Sequence, residues 1–177
     1  TVTYSSNAED LAAAQAGADA DSQAVVAYFR ELGFPADALK PAGVSVNSYD
    51  NNGVHTYTVT QRMQFRTTDI ARAQRAVARQ FDLVRRGVSL ADGSTMSYSY
   101  TKLNDIKPPM VAEATRDARR SAEQFAKDSG ASVGRIRQAT QGYFEINARD
   151  GESSGYGVSD TPDKRVRVVT TVEYYLN

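Results

Sequence analysis

Apolar residues recur at every third or fourth position in three stretches of the chain, and each stretch predicts an amphipathic helix. The helices are expected at about 7–32, 69–86 and 107–129, with a glycine just beyond each end. A capping box from Ser6 to Glu9 is expected to start the first helix. The residues expected to face inward are Leu11, Ala14, Ala18, Val25, Phe29 and Leu32, then Ile70, Ala73, Val77, Phe81 and Val84, then Val111, Ala114, Ala118, Ala122 and Phe125.

Alternation of apolar and polar residues predicts six strands around these helices, at about 1–5, 43–49, 54–67, 94–103, 133–146 and 165–176. The element order is therefore β-α-β-β-α-β-α-β-β. This order favours a two-lobed α+β fold, with three long helices packed on mostly antiparallel sheets. The first lobe is expected to combine residues 1–53 with 131–177, from both ends of the chain. The second is expected to be an inserted β-α-β-α lobe over 54–130.

The composition excludes several classes of functional site. The 177 residues include no cysteine and one histidine, His55, which excludes thiolate zinc sites, iron–sulfur clusters, disulfides and multi-histidine metal sites. The 21 basic and 21 acidic residues balance, which argues against a dedicated nucleic-acid binder. No apolar run approaches the roughly 20 residues needed to cross a bilayer, so no transmembrane segment is expected. The chain opens in a strand-like segment without an initiator methionine, and we expect that a leader was removed or that the chain is a fragment of a longer one.

None of the possible catalytic motifs has the sequence context that its chemistry requires. A G-x-S-x-G sequence over 151–155 lacks the preceding apolar strand and the downstream acid and histidine of a hydrolase, so a polar loop is favoured. His55 could act as a lone general base, but no partner lies at a suitable spacing and a surface or interface histidine is favoured. Two carboxylate pairs are interpreted as solvated helix surface, Asp19 with Asp21 and Glu113 with Asp117. We therefore predict no catalytic, cofactor-binding or metal-binding residue and no enzymatic activity.

The balanced net charge hides a polarised distribution. Residues 1–39 carry six acidic side chains against one arginine, a net charge of −5, whereas residues 62–86 carry seven arginines against two aspartates, a net charge of +5. Arg72, Arg75 and Arg79 lie at helical spacing opposite the apolar stripe of the second helix and form a candidate interaction surface. This surface could contact phosphates, anionic lipid headgroups or an acidic protein surface, and the alternative is an ordinary charged helix face. Head-to-tail self-association with the acidic first helix of another copy is one hypothesis.

The alanine-rich sequence over 112–126, AEATRDARRSAEQFA, is the most distinctive in the chain. Together with GASVGRI at 130–136 and VRVVTTVEYYL at 166–176, it resembles the SIMPL-domain family, the YggE-like bacterial cell-envelope proteins. The resemblance implies a periplasmic or envelope-associated, non-catalytic protein, often linked to stress tolerance, some of whose relatives assemble into larger rings. It implies no active-site residues.

These observations together predict a SIMPL-like envelope protein that acts through self-association or through binding of another envelope protein or an anionic surface. The alternative is a small-molecule or lipid-binding protein with a cleft between its lobes. No cofactor is expected in either case.

Overall fold

The computed structural model describes residues 1–150 and 159–177 and confirms the α+β class. Four helices and seven strands are found in this part of the chain. The helices are α1 (Leu11–Glu31), α2 (Ile70–Ala78), α3 (Phe81–Arg85) and α4 (Leu103–Asp128). The strands are β1 (Val2–Ala8), β2 (Leu39–Asn51), β3 (Val54–Phe65), β4 (Val133–Gln141), β5 (Glu145–Ala148), β6 (Lys164–Arg167) and β7 (Thr170–Leu176).

The chain forms two compact units, Thr1–Met96 and Ser97–Asn177. This division differs from the expected lobes, 1–53 with 131–177 and 54–130. The difference arises at β3, which was expected in the inserted lobe but is the central strand of an antiparallel sheet with the order β1-β3-β2. Because β3 pairs with strands on both sides, β1, β2 and β3 belong to one sheet, and the unit cannot be divided at residue 53.

The core of the Thr1–Met96 unit lies between α1 and this sheet. The alternation predicted for β3 is confirmed, since Val59 and Met63 are buried on the face that carries Tyr4 of β1. Phe29 and Val25 of α1 pack into the same region. The other buried members of this cluster are Tyr28, Phe34, Ala76, Leu83 and Val88.

Helix α1 begins later than predicted. Strand β1 continues to Ala8, where it still pairs with β3, so Ser6 and Glu9 do not form a capping box. Asp10 is the N-cap instead, and its carboxylate accepts a hydrogen bond of 3.0 Å from the Ala13 amide. At the other end the predicted stop is confirmed, because Gly33 adopts φ +82° directly after the helix.

The predicted helix over 69–86 is two helices, and its inward face was predicted wrongly. Arg79 and Gln80 separate α2 from α3. Ala73 is buried as predicted, but the other four predicted inward residues are 42–67% exposed, Ile70, Val77, Phe81 and Val84. The reason is a contact with α1, in which the Tyr28 hydroxyl donates a buried hydrogen bond of 2.6 Å to the Ala76 carbonyl. This contact holds the alanine side of α2 inward.

The strand predicted over 94–103 is absent from the described structure. Ser94 and Thr95 instead lie along the outer edge of β1, where the Thr95 amide donates to the Thr1 carbonyl at 3.1 Å. The Tyr98 amide donates to the Ser159 carbonyl at 2.7 Å, but residues 97–102 form no strand, and α4 starts at Leu103, four residues before the predicted start. An alternating pattern becomes a strand only where a second strand satisfies its backbone groups.

The Ser97–Asn177 unit places α4 on an antiparallel pair of strands, β4 and β7, followed by a second pair, β5 and β6. The two strands predicted over 133–146 and 165–176 are each divided in two, and the predicted bend at Gly142 separates β4 from β5. Val111, Ala114, Ala118 and Ala122 are half-buried as predicted. Phe125 is not inward, as it is 76% exposed and its neighbour Ala126 is buried.

Candidate interaction surface

The three arginines of the candidate surface lie together on one side of α2, but they differ in what they contact. Arg72 is half-buried, and its Nη1 donates to the Gly33 carbonyl at 2.7 Å. Its guanidinium also lies 5.5 Å from the centroid of the Phe34 ring and forms an ion pair of 3.1 Å with Asp69. Arg72 therefore fixes α2 to the end of α1, where a positive charge complements the helix dipole.

The other arginines of this region are mostly paired within the chain. Arg79 and Arg85 share Asp82, at 3.0 and 2.7 Å. Arg86 forms a two-pronged ion pair with Glu31 of α1, at 3.0 and 2.5 Å. The charge asymmetry predicted to hold two copies together is thus partly satisfied inside one copy.

Arg75 is the exception among the three. Its side chain is exposed, and no ion pair to it is found in the described part of the chain. Of the predicted surface, Arg75 is the guanidinium most available to an anionic partner.

The ion pair with Arg86 holds the pKa of Glu31 below its ordinary value, chiefly through the hydrogen bond from the guanidinium. A carboxylate with a lowered pKa contributes stability above its unfolded-state pKa and loses that contribution as pH falls through the folded-state value. We expect Glu31→Gln to lower stability slightly at pH 7, and the difference from the wild type to disappear as pH falls well below 4.5. Urea unfolding of both chains between pH 3 and pH 7 measures this, and a difference that stays constant with pH would contradict it.

His55 lies near the turn between β2 and β3, where the prediction of an exposed residue is confirmed. Its Nδ1 is 3.1 Å from the Asp50 carboxylate, and its ring centroid is 5.6 Å from that of Tyr57. The pair joins two residues that are opposite each other in the β2–β3 ladder, which stabilises this end of the hairpin.

The two carboxylate pairs lie on different helices, Asp19 with Asp21 on α1 and Glu113 with Asp117 on α4. Asp117 is held by Arg120, one turn along α4. Burial raises the pKa of Asp21. No group of three metal-ligating side chains occurs among the described residues. The G-x-S-x-G sequence over 151–155 lies outside them.

One shallow cavity of about 340 Å³ lies in the Thr1–Met96 unit. Its walls include Phe81, Val84 and Leu90, with Asp92 and Ser94 as polar groups. The cavity is open to solvent and offers an apolar surface beside a single carboxylate. These groups could hold a small amphipathic molecule.

An exposed apolar group in the Ser97–Asn177 unit was missed in the sequence. Phe125, Ile136 and Leu176 are 76%, 46% and 63% exposed, and we call them the terminal apolar patch. All three lie where α4 ends, β4 begins and β7 ends. Ile136 is opposite Tyr174 in the ladder, and Leu176 is two residues further along β7, so both share the face that packs on α4.

A signal for part of this patch is present in the sequence. Ala114, Ala118, Ala122 and Ala126 repeat at intervals of four and mark the inward face of α4 without Phe125. The exposure of Ile136 and Leu176 could not be found in this way, because alternation shows which residues share a face but not how far the helix covers it.

Comparison with known proteins identifies the family of the chain. The model of the SIMPL family, described as a protein of unknown function (DUF541), matches residues 1–174. No curated protein matches the chain. Within the described residues, no helix is long and apolar enough to span a membrane.

Proposed function

Because this chain belongs to the SIMPL family, whose function is unknown, we propose that it is a non-catalytic protein that acts through self-association. One observation carries the proposal. Within the described residues of the Ser97–Asn177 unit, Ala126 is the one buried apolar side chain, whereas the terminal apolar patch is exposed. A unit of about 80 residues ordinarily encloses an apolar core, so this unit lacks the burial that stabilises others of its size.

A second copy supplies the missing burial most simply. Exposed apolar groups that lie together on a surface typically mark an interface with another protein. In a twofold-symmetric dimer each copy covers the patch of the other and the same residues serve on both sides, whereas in a ring the patch of one copy contacts a different surface of the next. The resemblance to envelope proteins, some of which form rings, supports the same proposal and a location in the cell envelope, with a role in stress tolerance.

Self-association is tested by measuring molar mass over a range of concentrations and salt. We expect the wild-type chain to sediment above its 19.3 kDa monomer mass at micromolar concentration. Phe125→Gln combined with Leu176→Gln should raise the dissociation constant about tenfold or more, since each change removes an apolar side chain from the interface. Phe125 lies near the end of α4, where glutamine is compatible with a helix, and Leu176 is the exposed last residue of β7, so folding should be unchanged.

Tyr143→Gln is the matched control. Tyr143 is 95% exposed and lies outside the patch, so its replacement removes a large aromatic side chain without changing the dissociation constant. A wild-type chain that remains monomeric at all concentrations and salt conditions would refute the proposal. An equal effect of Tyr143→Gln would show that the terminal apolar patch is not the interface.

A second candidate function is the binding of a small amphipathic molecule or lipid. The cavity beside Phe81 and Val84 supports it, because apolar walls with a few polar groups are typical of ligand sites. The basic side of α2, with Arg75 exposed, is the proposed contact for an anionic headgroup or an acidic envelope protein. A reproducible rise in melting temperature with a lipid or metabolite, without oligomer formation, would favour this function over the first.

A further inference from the structure

The two edges of the sheet in the Thr1–Met96 unit differ. The outer edge of β1 is covered by residues 89–95 of the same chain. The Ser5 amide donates to the Ser89 carbonyl at 2.9 Å, and the Ala91 amide donates to the Thr3 carbonyl at 2.9 Å. The opposite edge is β2, a strand of 13 residues that pairs with β3 and with no other strand in the described structure. An uncovered edge of this length offers backbone donors and acceptors to another strand.

The middle of β2 lacks the features that normally block edge pairing. Residues 42–49 contain no charged side chain and no proline. The proline of the strand, Pro41, lies at a register shift near its start, so the remainder is a regular ladder with β3. Charges, prolines and bulges are the usual protection of an exposed edge, and here they are confined to the two ends of the strand, Lys40 and Pro41 at its start and Asp50 near its finish.

The side chains of this segment add an apolar surface to the open edge. Val46 is directly opposite Val59 of β3, which is 2% exposed and packs against α1. Val44 lies two residues away on the same face. Val44 is 65% exposed and Val46 is 48% exposed. They continue the buried face of the sheet beyond the strands on which α1 packs, β1 and β3.

From these features we infer that β2 pairs antiparallel with β2 of a second copy, which joins two three-stranded sheets into one. The inference rests on the proposed self-association and names a second surface for it, separate from the terminal apolar patch. Lys40 and Asp50 flank the uncharged segment, and an antiparallel arrangement brings the lysine end of one strand to the aspartate end of the other. The twofold axis of such a pair is perpendicular to the sheet, so the valines of both copies lie on one face and cover each other.

Cysteine cross-linking tests the pairing directly, because the chain has no cysteine of its own. Each residue from 43 to 49 is changed to cysteine in turn, and the proteins are oxidised under mild conditions. Opposed residues in an antiparallel pair lie about 4.5–5.5 Å apart between Cα atoms, which a disulfide spans. We expect dimer formation to peak at one or two adjacent positions and to fall away on both sides. Ala71→Cys, exposed on α2, is the control.

A charge-swap experiment tests the same pairing in solution. Ser45 is exposed at the middle of the segment. Ser45→Lys and Ser45→Glu should each weaken pairing by roughly threefold to tenfold, since like charges meet across the twofold axis. Mixing the two variants in equal amounts should restore pairing. A variant that merely destabilised the fold would gain nothing from mixing.

The possible outcomes separate this inference from the proposed function. A peak in cross-linking together with restoration on mixing supports it. A flat cross-linking profile, as expected if a strand of another protein occupies this edge, overturns it. A third outcome is also decisive. If the wild-type chain is oligomeric, and Phe125→Gln with Leu176→Gln weakens the oligomer while the β2 variants leave it unchanged, then self-association stands and β2 pairing is wrong. A chain that is monomeric throughout refutes both.

Discussion

Replacement of Phe29 by alanine is expected to destabilise the Thr1–Met96 unit by about 3–5 kcal/mol. Phe29 is 8% exposed on α1, and its ring centroid lies 4.7 Å from that of Phe65 on β3 and 5.8 Å from that of Phe34. Tyr28 adds an edge-on contact at 5.4 Å. The substitution would leave a cavity among three rings that belong to the helix, the segment after it and the central strand, and a cavity bordered by so many elements cannot collapse easily.

Chemical denaturation of the wild-type and Phe29→Ala chains measures this loss. Phe81→Ala is the matched control, because it removes the same side chain from a position that is 67% exposed. A surface change of this kind is expected to alter stability by no more than about 0.5 kcal/mol. If the two variants lost similar stability, the aromatic cluster would not be the main core of the unit.

Local sequence signals were sufficient for the elements whose partners lie nearby. The apolar spacing of α1, the glycine after it and the separation of β2 from β3 were all predicted correctly, because helix ends and hairpin turns depend on a few adjacent residues. The fold class followed from the order of these elements. The start of α1 was missed because pairing of Ala8 with Tyr57 extends β1 into the expected cap.

The failures all involve contacts between distant residues. The inward face of α2 is decided by the hydrogen bond from Tyr28 to Ala76, which are 48 positions apart. Ser94 and Thr95 lie along the edge of β1, so the alternating pattern that begins with them does not produce a strand. Periodicity identifies amphipathic segments but does not state which side another element will cover.

The candidate site shows the same limit. The charge asymmetry was visible along the chain, but the pairing of Arg86 with Glu31 joins residues 55 positions apart and uses part of the charge internally. The terminal apolar patch was not predicted, because Phe125 fits the apolar spacing of α4 as well as Ala126 does. Whether these side chains are exposed depends on how far other elements cover them, and the sequence does not show this.

Gly17 provides a test of the contact between α1 and β1, which also joins residues distant in the sequence. Gly17 lies within α1, where alanine is ordinarily more favourable than glycine by about 1 kcal/mol. Here a Cβ added to Gly17 would lie 2.2 Å from Oγ and 3.2 Å from Cβ of Ser6 on β1. The hydroxyl can rotate away, but the Ser6 Cβ is fixed by the backbone, so the helix and strand would have to separate.

We expect Gly17→Ala to destabilise the unit by up to about 2 kcal/mol, because an overpacking cost of about 1–3 kcal/mol is only partly offset by a gain in helix propensity of about 1 kcal/mol. The control is the same change in a Ser6→Gly background, which removes both opposing atoms. There Gly17→Ala should become neutral or stabilising, since the gain in helix propensity remains and the clash does not. Denaturant unfolding of the four chains gives the coupling between the two positions. A stabilising effect of Gly17→Ala in the wild-type chain would show that α1 does not approach β1 as closely as the structure places it.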